Sequence, residues 1–250
     1  MKQYDYVIVG SGASGGVLAY MLAAAGKEVL VLEAGKFFRK DTFPDNEADG
    51  TTQLYWGGGI ELSRDAKMAF LRGKCVGGGT VVNQALQDRF DQFVFDDWFD
   101  KTGIDFFNLE TMNPYYDAVE NMLSLHKFTP EDKNGSAEVF TKGCEKLGIN
   151  YQYLRRGQSD CAIEKGNDCI TCLSGCHRDS KQSSLVAFIQ RAEKEGLPLT
   201  VWDQFQVDKI KHEGKTVRIK GIHKKEEKEL TCQKLILAAG TFGTNRILQY

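Results

Sequence analysis

The 250-residue sequence lacks a strong charge imbalance, since 32 lysines and arginines nearly balance 34 aspartates and glutamates and leave a net charge of −2. A chain this close to neutral has no electrostatic attraction for nucleic acid or for an anionic membrane surface. The sequence also lacks an apolar run as long as a membrane span, because its candidates near 17–25 and 235–239 are short or broken. We therefore expect no nucleic-acid partner and no membrane span.

The N-terminus lacks the features of a secretory signal, because an apolar strand begins where the basic region of a signal would lie. Internal repeats and low-complexity linkers are also missing from the sequence. We expect a cytoplasmic protein, in which the seven cysteines are thiols or metal ligands rather than disulfides. With 42% apolar and 26% charged residues, the chain has the composition of a globular protein with a sizeable core.

What the sequence does contain is a glycine-rich turn directly after its first apolar segment. Residues 4–9 predict a strand, and residues 10–16 follow with the pattern GxGxxG. An Ala- and Leu-rich helix is predicted up to Ala25, and a second strand over 28–32 ends at Glu33. This order of strand, glycine turn, helix, strand and acid predicts a dinucleotide site.

Each residue of this pattern has a physical role. Gly10 permits a sharp turn out of the strand, and Gly12 permits backbone N–H groups to approach a pyrophosphate. Gly15 permits the helix to pack closely on the sheet. Glu33 lies 21 residues after Gly12 and is placed to accept hydrogen bonds from a ribose, while the helix N-terminus favours phosphate charge.

The middle of the chain is irregular and then helical. Residues 36–70 are polar and interrupted by glycines, which predicts a loop with short strands. A second glycine cluster, 77–79, follows within the segment 72–86, and a helix is expected to begin over 81–86. Residues 90–150 are expected to be mainly helical, with one helix from Asn113 to Leu125 and another from Ser136 to Leu147.

The last third of the chain returns to strands. A loop with four cysteines, 155–182, precedes an amphipathic helix expected from Ser183 to Glu195. From Leu199 the alternation of apolar and polar residues predicts a small antiparallel meander. An apolar strand from Lys234 to Ala238 then leads to a helix expected to open at Thr244.

These elements predict an α/β fold: a Rossmann-like FAD/NAD(P)-binding domain with a parallel sheet, a β-meander and an insertion of helices and loops. The final apolar strand returns the chain to the sheet where it began, as the long crossovers of parallel sheets require. We expect residues 1–90 and 183–250 to form the dinucleotide-binding domain. Residues 91–182 are expected to form the insertion, on the substrate side.

Three segments together resemble the glucose–methanol–choline (GMC) flavin oxidoreductases. They are YDYVIVGSGASGG with VLEAG near the N-terminus, the internal GKCVGGGTVVNQ, and KLILAAGTFGTNRIL at the C-terminal end. The internal segment distinguishes this family from others, because NAD enzymes and other flavin families share the first fingerprint but lack a GGGTxxN element at this distance. The resemblance spans nearly the whole chain and implies FAD as the cofactor.

The resemblance also implies which residues bind FAD. They are Gly10, Gly12, Ser14, Gly15, Glu33, Gly78, Gly79, Thr80, Asn83, Val207, Ala239 and Gly240. Gly12, Ser14 and Gly15 correspond to the pyrophosphate and Glu33 to the adenosine ribose. The group from Gly78 to Asn83 corresponds to the portion between pyrophosphate and flavin. Val207 corresponds to an adenine contact, although it is equally a core strand residue, and Asn83 could simply begin a helix.

The chemistry that the resemblance implies is transfer of hydride from the CH–OH group of an alcohol, sterol or sugar to FAD. A base must take the hydroxyl proton as the hydride leaves. In the family this base is a histidine of the C-terminal half, and no histidine here matches its motif, so the catalytic residues are unknown. The four histidines are His126, His177, His212 and His223. We therefore expect an FAD-binding part whose substrate domain is largely missing and which is inactive alone.

The four cysteines of the 155–182 loop form a candidate metal site. Cys161, Cys169, Cys172 and Cys176 are separated by seven, two and three residues, which resembles without matching an iron–sulfur spacing. Zinc would accept the same thiolates, and disulfides or unliganded thiols are equally open. Together with the following GCHRDSKQSS, the loop resembles a GMC branch with long-chain alcohol oxidases, sterol-oxidising enzymes and sugar dehydrogenases.

Two other functions compete with an alcohol dehydrogenase or oxidase. One is a non-catalytic FAD-binding subunit, or half of a split enzyme, that acts with a separate C-terminal partner. The other is an NAD(P)-dependent enzyme, in which the GGGTVVN segment would have no role. If a cluster is present, electrons can leave the flavin singly to an electron-acceptor protein, which favours a dehydrogenase over an oxidase.

Overall fold

The computed structural model describes residues 4–159, 161 and 170–249. The chain forms two compact units, of which the first comprises Met1–Gln84 with Ile170–Tyr250 and the second comprises Ala85–Cys169. Within the described residues, no helix is long and apolar enough to cross a bilayer.

The strands are short except in the C-terminal part of the chain. They are β1 (Tyr6–Val9), β2 (Val29–Leu32), β3 (Glu61–Leu62), β4 (Ala69–Phe70), β5 (Leu125–Lys127), β6 (Arg155–Gly157), β7 (Leu199–Trp202), β8 (Phe205–Glu213), β9 (Thr216–His223), β10 (Glu226–Cys232) and β11 (Leu235–Leu237). The α-helices are α1 (Ala13–Ala24), α2 (Glu47–Leu54), α3 (Gln92–Thr102), α4 (Leu109–Met122), α5 (Gly135–Leu147), α6 (Arg191–Lys194) and α7 (Gly240–Leu248).

A parallel sheet forms the centre of the first unit, with strand order β11-β1-β2-β7. One row across it joins Leu235, Val7, Leu30 and Thr200. The apolar runs of β1 and β2 are buried on both faces, as expected for parallel strands covered by other layers. The predicted Rossmann-like α/β sheet is confirmed.

Side chains from the two faces of this sheet enter two separate clusters. On one face, Ile8 and Val31 pack with Ala19 of α1 and with Leu185. On the other face the cluster contains Val7, Val9, Leu30, Leu32, Phe205, Val207, Ile219 and Ile247. The sheet therefore lies between a helical layer and a layer made of the meander and α7.

The meander is antiparallel, with β9 between β8 and β10. Its register shifts between Val207 and Lys209, which marks a β-bulge. Arg218 on its wet side forms ion pairs with Glu213 and Glu229. The small antiparallel meander predicted from alternation is confirmed.

The prediction of a helix over 81–86 is wrong. Residues Gly78–Thr80 form a single 3₁₀ turn, and the chain then continues without helical hydrogen bonding. The carbonyls of Val81 and Asn83 accept hydrogen bonds from the side chain of Lys181. A distant residue therefore takes the acceptors that a helix would have used.

Two other helices begin earlier than expected. Helix α4 starts at Leu109 because the Asn108 side chain accepts a hydrogen bond from the N–H of Thr111, and Pro114 lies inside the helix. Helix α7 starts at Gly240 instead of Thr244. The helix expected from Ser183 to Glu195 is a π-helical segment, Leu185–Gln190, that continues into α6.

The second unit is mainly helical, as predicted. It contains α3, α4 and α5 with the small β5–β6 pair, and Glu120 of α4 forms ion pairs with Arg89 and Arg155. Its bounds, 85–169, differ from the predicted insertion, 91–182. The reason is that residues after 170 bond within the first unit, where Tyr55 donates to the carbonyl of Leu173.

Candidate functional site

The first glycine turn is shaped by close backbone contacts. Gly10 has φ +96°, and a Cβ there would lie 2.4 Å from the carbonyl oxygen of Ala238. A Cβ at Gly15 would lie 1.9 Å from the carbonyl oxygen of Gly10. These two positions must therefore be glycine for β1, α1 and the end of β11 to meet.

Gly12 differs from these two glycines. A Cβ at Gly12 would meet no atom within 4 Å, so the backbone faces open space. Gly12 is the N-cap residue of α1 and has no side chain with which to cap it, while Ser14 in the first turn is exposed. The N–H groups at this helix end form an electropositive site suited to a phosphate.

Glu33 lies at the end of β2 and is 7% exposed. Its Oε2 accepts hydrogen bonds from the N–H of Ser11 at 3.0 Å and from the Ser11 hydroxyl at 2.7 Å, and its Oε1 accepts from the N–H of Gly35 at 2.8 Å. Burial raises the pKa of this carboxyl, although the three hydrogen bonds oppose the shift. The bonds fix the carboxylate and leave acceptor capacity for a ligand hydroxyl.

The second glycine cluster lies against the first turn. The N–H of Gly77 donates to the Ser11 hydroxyl at 2.9 Å, and a Cβ at Gly78 would lie 3.1 Å from Cα of Gly12. Gly79 is exposed, and a Cβ there would meet nothing within 4 Å. Two glycine backbones, at Gly12 and Gly79, therefore border open space close together.

Ser184, which is not among the predicted site residues, connects the two glycine segments. Its N–H donates to the Thr80 hydroxyl at 2.9 Å, and that hydroxyl donates to the carbonyl of Gly77 at 2.6 Å. The Ser184 hydroxyl lies 2.9 Å from the carbonyl of Ser11 and 3.0 Å from that of Gly12. The only sequence signal for this role is the KQSS segment at the end of the cysteine-rich loop.

The remaining predicted residues lie at other points of the same unit. Ala239 is the N-cap residue of α7, and its Cα would lie 3.0 Å from a Cβ at Gly10. Gly240 has φ +71° and borders open space. Val207 is buried beside the bulge in β8, and Asn83 is half-buried after the second glycine cluster. Their contacts with a cofactor stay a prediction.

The structure describes three of the four cysteines of the candidate metal site. Cys172 and Cys176 lie in the first unit and Cys161 in the second, while Cys169 lies outside the described residues. Within the described ranges, no group of three or more His, Cys, Asp or Glu side chains could hold a metal. These ranges give an iron–sulfur cluster or zinc no support.

The other three cysteines are small buried residues, as predicted. Cys75, Cys144 and Cys232 are each at most 7% exposed. Burial raises the pKa of Cys75, and it raises the pKa of Cys232 to about 11. Both thiols are therefore protonated and unreactive at neutral pH.

The described histidines show no catalytic arrangement with a partner histidine or asparagine. His177 lies between two carbonyls, with Nδ1 3.0 Å from that of Lys40 and Nε2 3.2 Å from that of Pro44. His212 is exposed in the meander, as expected. His223, also expected at the surface, is half-buried and stacks on Trp202 at 5.5 Å between ring centroids.

These features fit an extended dinucleotide. An uncapped helix end is suited to the charge of a pyrophosphate, and open glycine backbones would allow a ligand to approach closely. A fixed carboxylate at the end of the neighbouring strand is suited to accept from a ribose hydroxyl, and Gly79 borders open space.

Comparison with known proteins identifies sequence relatives. A long-chain-alcohol oxidase of Arabidopsis thaliana is 32% identical over 184 residues, which cover 73% of this chain and 24% of that protein. A GMC-type oxidoreductase of Sinorhizobium fredii, of uncharacterised function, is 31% identical over 84% of this chain and 40% of its own length. An oxygen-dependent choline dehydrogenase of Staphylococcus aureus is 28% identical over 99% of this chain and 47% of its own length. The chain thus spans less than half the length of these relatives.

Solved structures of other proteins have a fold similar to that of this chain. A pyridoxine 4-oxidase from Mesorbium loti superimposes with a TM-score of 0.72 at 19% identity, covering 95% of this chain and 50% of that one. A fungal aryl-alcohol oxidase gives 0.65 at 18% identity, covering 100% of this chain and 48% of that one.

Two family models match the sequence directly. The NAD(P)-binding Rossmann-like domain matches residues 8–60, which contain the first glycine turn and Glu33. The GMC oxidoreductase model matches residues 48–250, which contain the second glycine cluster and the returning strand β11. Ser11 and Ser184 join these two glycine segments by hydrogen bonds, and the chain is a member of the GMC oxidoreductase family.

Proposed function

We propose that the first unit binds FAD between its two glycine segments. The observation that carries this proposal is the approach of Gly78 to Gly12 beside the fixed carboxylate of Glu33. The pyrophosphate would lie at the N-terminus of α1, against Gly12 and Ser14, and the adenosine ribose at Glu33. Gly79, Thr80 and Asn83 would border the continuation toward the flavin, Val207 the adenine, and Ala239 and Gly240 the second approach to the dinucleotide.

We propose further that the protein oxidises the CH–OH group of a small-molecule alcohol. FAD, when bound, accepts the hydride in such a reaction. The support is family membership together with relatives named as long-chain-alcohol oxidase and choline dehydrogenase. In this reaction the residues of the first unit bind and orient the cofactor.

The binding proposal is tested by purifying the protein and recording its visible spectrum. A yellow preparation that releases one equivalent of FAD on denaturation, and whose absorbance bleaches with dithionite, is expected. A colourless protein that does not bind added FAD in a fluorescence titration would overturn the proposal. NAD binding without flavin would favour the NAD(P)-dependent alternative.

The reaction proposal has a separate test. Dye reduction by the FAD-loaded protein is measured with primary aliphatic alcohols of increasing chain length and with choline. Reduction that depends on one of these alcohols supports the proposed chemistry. FAD binding without dye reduction, when a separately supplied C-terminal partner restores the activity, would instead show a flavin-binding subunit.

A further inference from the structure

Lys181 is a buried lysine that the proposed site does not yet use. Lys181 is 3% exposed. The ammonium nitrogen donates hydrogen bonds to three backbone carbonyls, at 2.7 Å to Val81, 2.6 Å to Asn83 and 2.5 Å to Cys172. An ammonium group has three N–H donors, so these three acceptors match its capacity.

The acceptors belong to two segments of the first unit that are far apart in sequence. Val81 and Asn83 follow the second glycine cluster, and Cys172 lies in the cysteine-rich segment. Tyr55 supports the same junction, because its hydroxyl donates to the carbonyl of Leu173 at 2.6 Å and lies 3.4 Å from that of Val82. Carbonyls of both segments therefore face the same two donors, the charged ammonium of Lys181 and the neutral hydroxyl of Tyr55.

This convergence fixes the orientation of the peptide groups after the glycine cluster. In a trans peptide the C=O and the following N–H point in opposite directions. Because the carbonyls of Val81 and Asn83 point at Lys181, the N–H groups of Val82 and Gln84 point away from it. The ammonium thus fixes the orientation of these two peptide groups.

We propose that Lys181 is a positioning residue for the flavin-side portion of the FAD site. It acts through the backbone of residues 81–83, whose peptide groups it holds in one orientation directly after Gly79 and Thr80. The inference rests on the proposed FAD binding and adds to it a residue outside both glycine motifs. Its charge matters because hydrogen bonds from a charged donor are about twice as strong as neutral ones.

The test compares Lys181→Met with Lys194→Met, which removes the same ammonium from an exposed position in α6. The measurements are the FAD dissociation constant, the visible circular dichroism of the bound flavin, and the Tm of the FAD-free protein. Lys181→Met is expected to raise the dissociation constant about tenfold or more, equal to about 1.4 kcal/mol, and to change the flavin dichroism. Lys194→Met is expected to change neither.

Two further outcomes separate the explanations. A lower Tm for Lys181→Met with unchanged dissociation constant and dichroism would overturn the inference and leave only a structural role. If Lys181→Met does not fold, Lys181→Arg is decisive: its planar guanidinium cannot reproduce the ammonium's three bonds, so a weaker affinity is expected, and wild-type affinity and dichroism would contradict us. Failure of the wild-type protein to bind FAD would instead overturn the proposed function.

Discussion

The two glycine segments have similar compositions but obtain their shapes in different ways. The first turn is shaped by its immediate neighbours, because Gly10 and Gly15 contact each other and the end of β11 directly. The second is held by side chains distant in sequence, with Ser184 on Thr80 and Lys181 on Val81 and Asn83. A short motif can therefore specify the first turn, whereas the second depends on the rest of the unit.

The largest effect is expected from Gly15→Ala in the first turn. The added Cβ would lie 1.9 Å from the carbonyl oxygen of Gly10, so backbone must move. We expect a loss of about 3 kcal/mol or more in the free energy of unfolding, measured by urea denaturation. Gly143→Ala in α5, where a Cβ meets nothing, is the control and should be neutral or slightly stabilising. Equal stabilities for the two variants would show that the first turn is not closely packed.

Gly12→Ala separates ligand approach from packing in the same turn. A Cβ at Gly12 meets no protein atom, and alanine is a poorer N-cap than glycine, so stability should fall by no more than about 1 kcal/mol. A bound pyrophosphate would occupy that space, so FAD affinity should fall by about a hundredfold or more, or about 2.7 kcal/mol. Fluorescence titration of the variant measures this, and wild-type affinity would place the pyrophosphate elsewhere.

Ser184→Ala tests the link between the two segments. Removing its hydroxyl leaves the buried carbonyls of Ser11 and Gly12 without this donor, which should cost about 1–2 kcal/mol of stability. Because both glycine segments shift, a weaker FAD affinity should accompany that loss. The control is Ser136→Ala, an exposed serine in α5. If the two serine variants behave alike in urea denaturation, the link is energetically unimportant.

The smallest effect concerns the pH dependence that Glu33 adds to the stability of the FAD-free protein. Burial raises the pKa of Glu33 in the folded state above its usual value, so the folded protein holds that proton more tightly than the unfolded chain does. This contribution is fully present below the unfolded-state pKa and is lost as pH rises through the folded-state value. The difference in the free energy of unfolding between the wild type and Glu33→Gln should therefore shift against the wild type as pH rises from the unfolded-state pKa through the folded-state pKa of Glu33.

Glu120 in the second unit provides the opposite case. Arg89, with a further contribution from Arg155, lowers the pKa of Glu120 to about 2. Its contribution is therefore present above the unfolded-state pKa and is lost as pH falls toward about 2. Urea denaturation of Glu33→Gln and Glu120→Gln across this range should give stability differences of opposite slope. Parallel slopes would contradict the assignment of these two carboxyls.

Several elements could be predicted because their signals are local. The apolar runs of β1 and β2, the alternation along β8 and β9, and the stop of α5 at Gly148 each follow from neighbouring residues. The helix expected over 81–86 does not form: Ala85 has a positive φ of 58°, and a buried ammonium nearly one hundred positions later binds the carbonyls of Val81 and Asn83. Propensity does not register such a long-range competitor.

The sequence by itself determined the strand–turn–helix that opens the chain, the family, and the positions of glycines where backbone must approach backbone. These depend on steric limits that a few adjacent residues impose. The tertiary structure decided which residues hold the second glycine segment, since Ser184 and Lys181 reach it only after the chain has folded. It also decided that Gly78 lies against Gly12, because that proximity arises from the packing of segments distant in sequence.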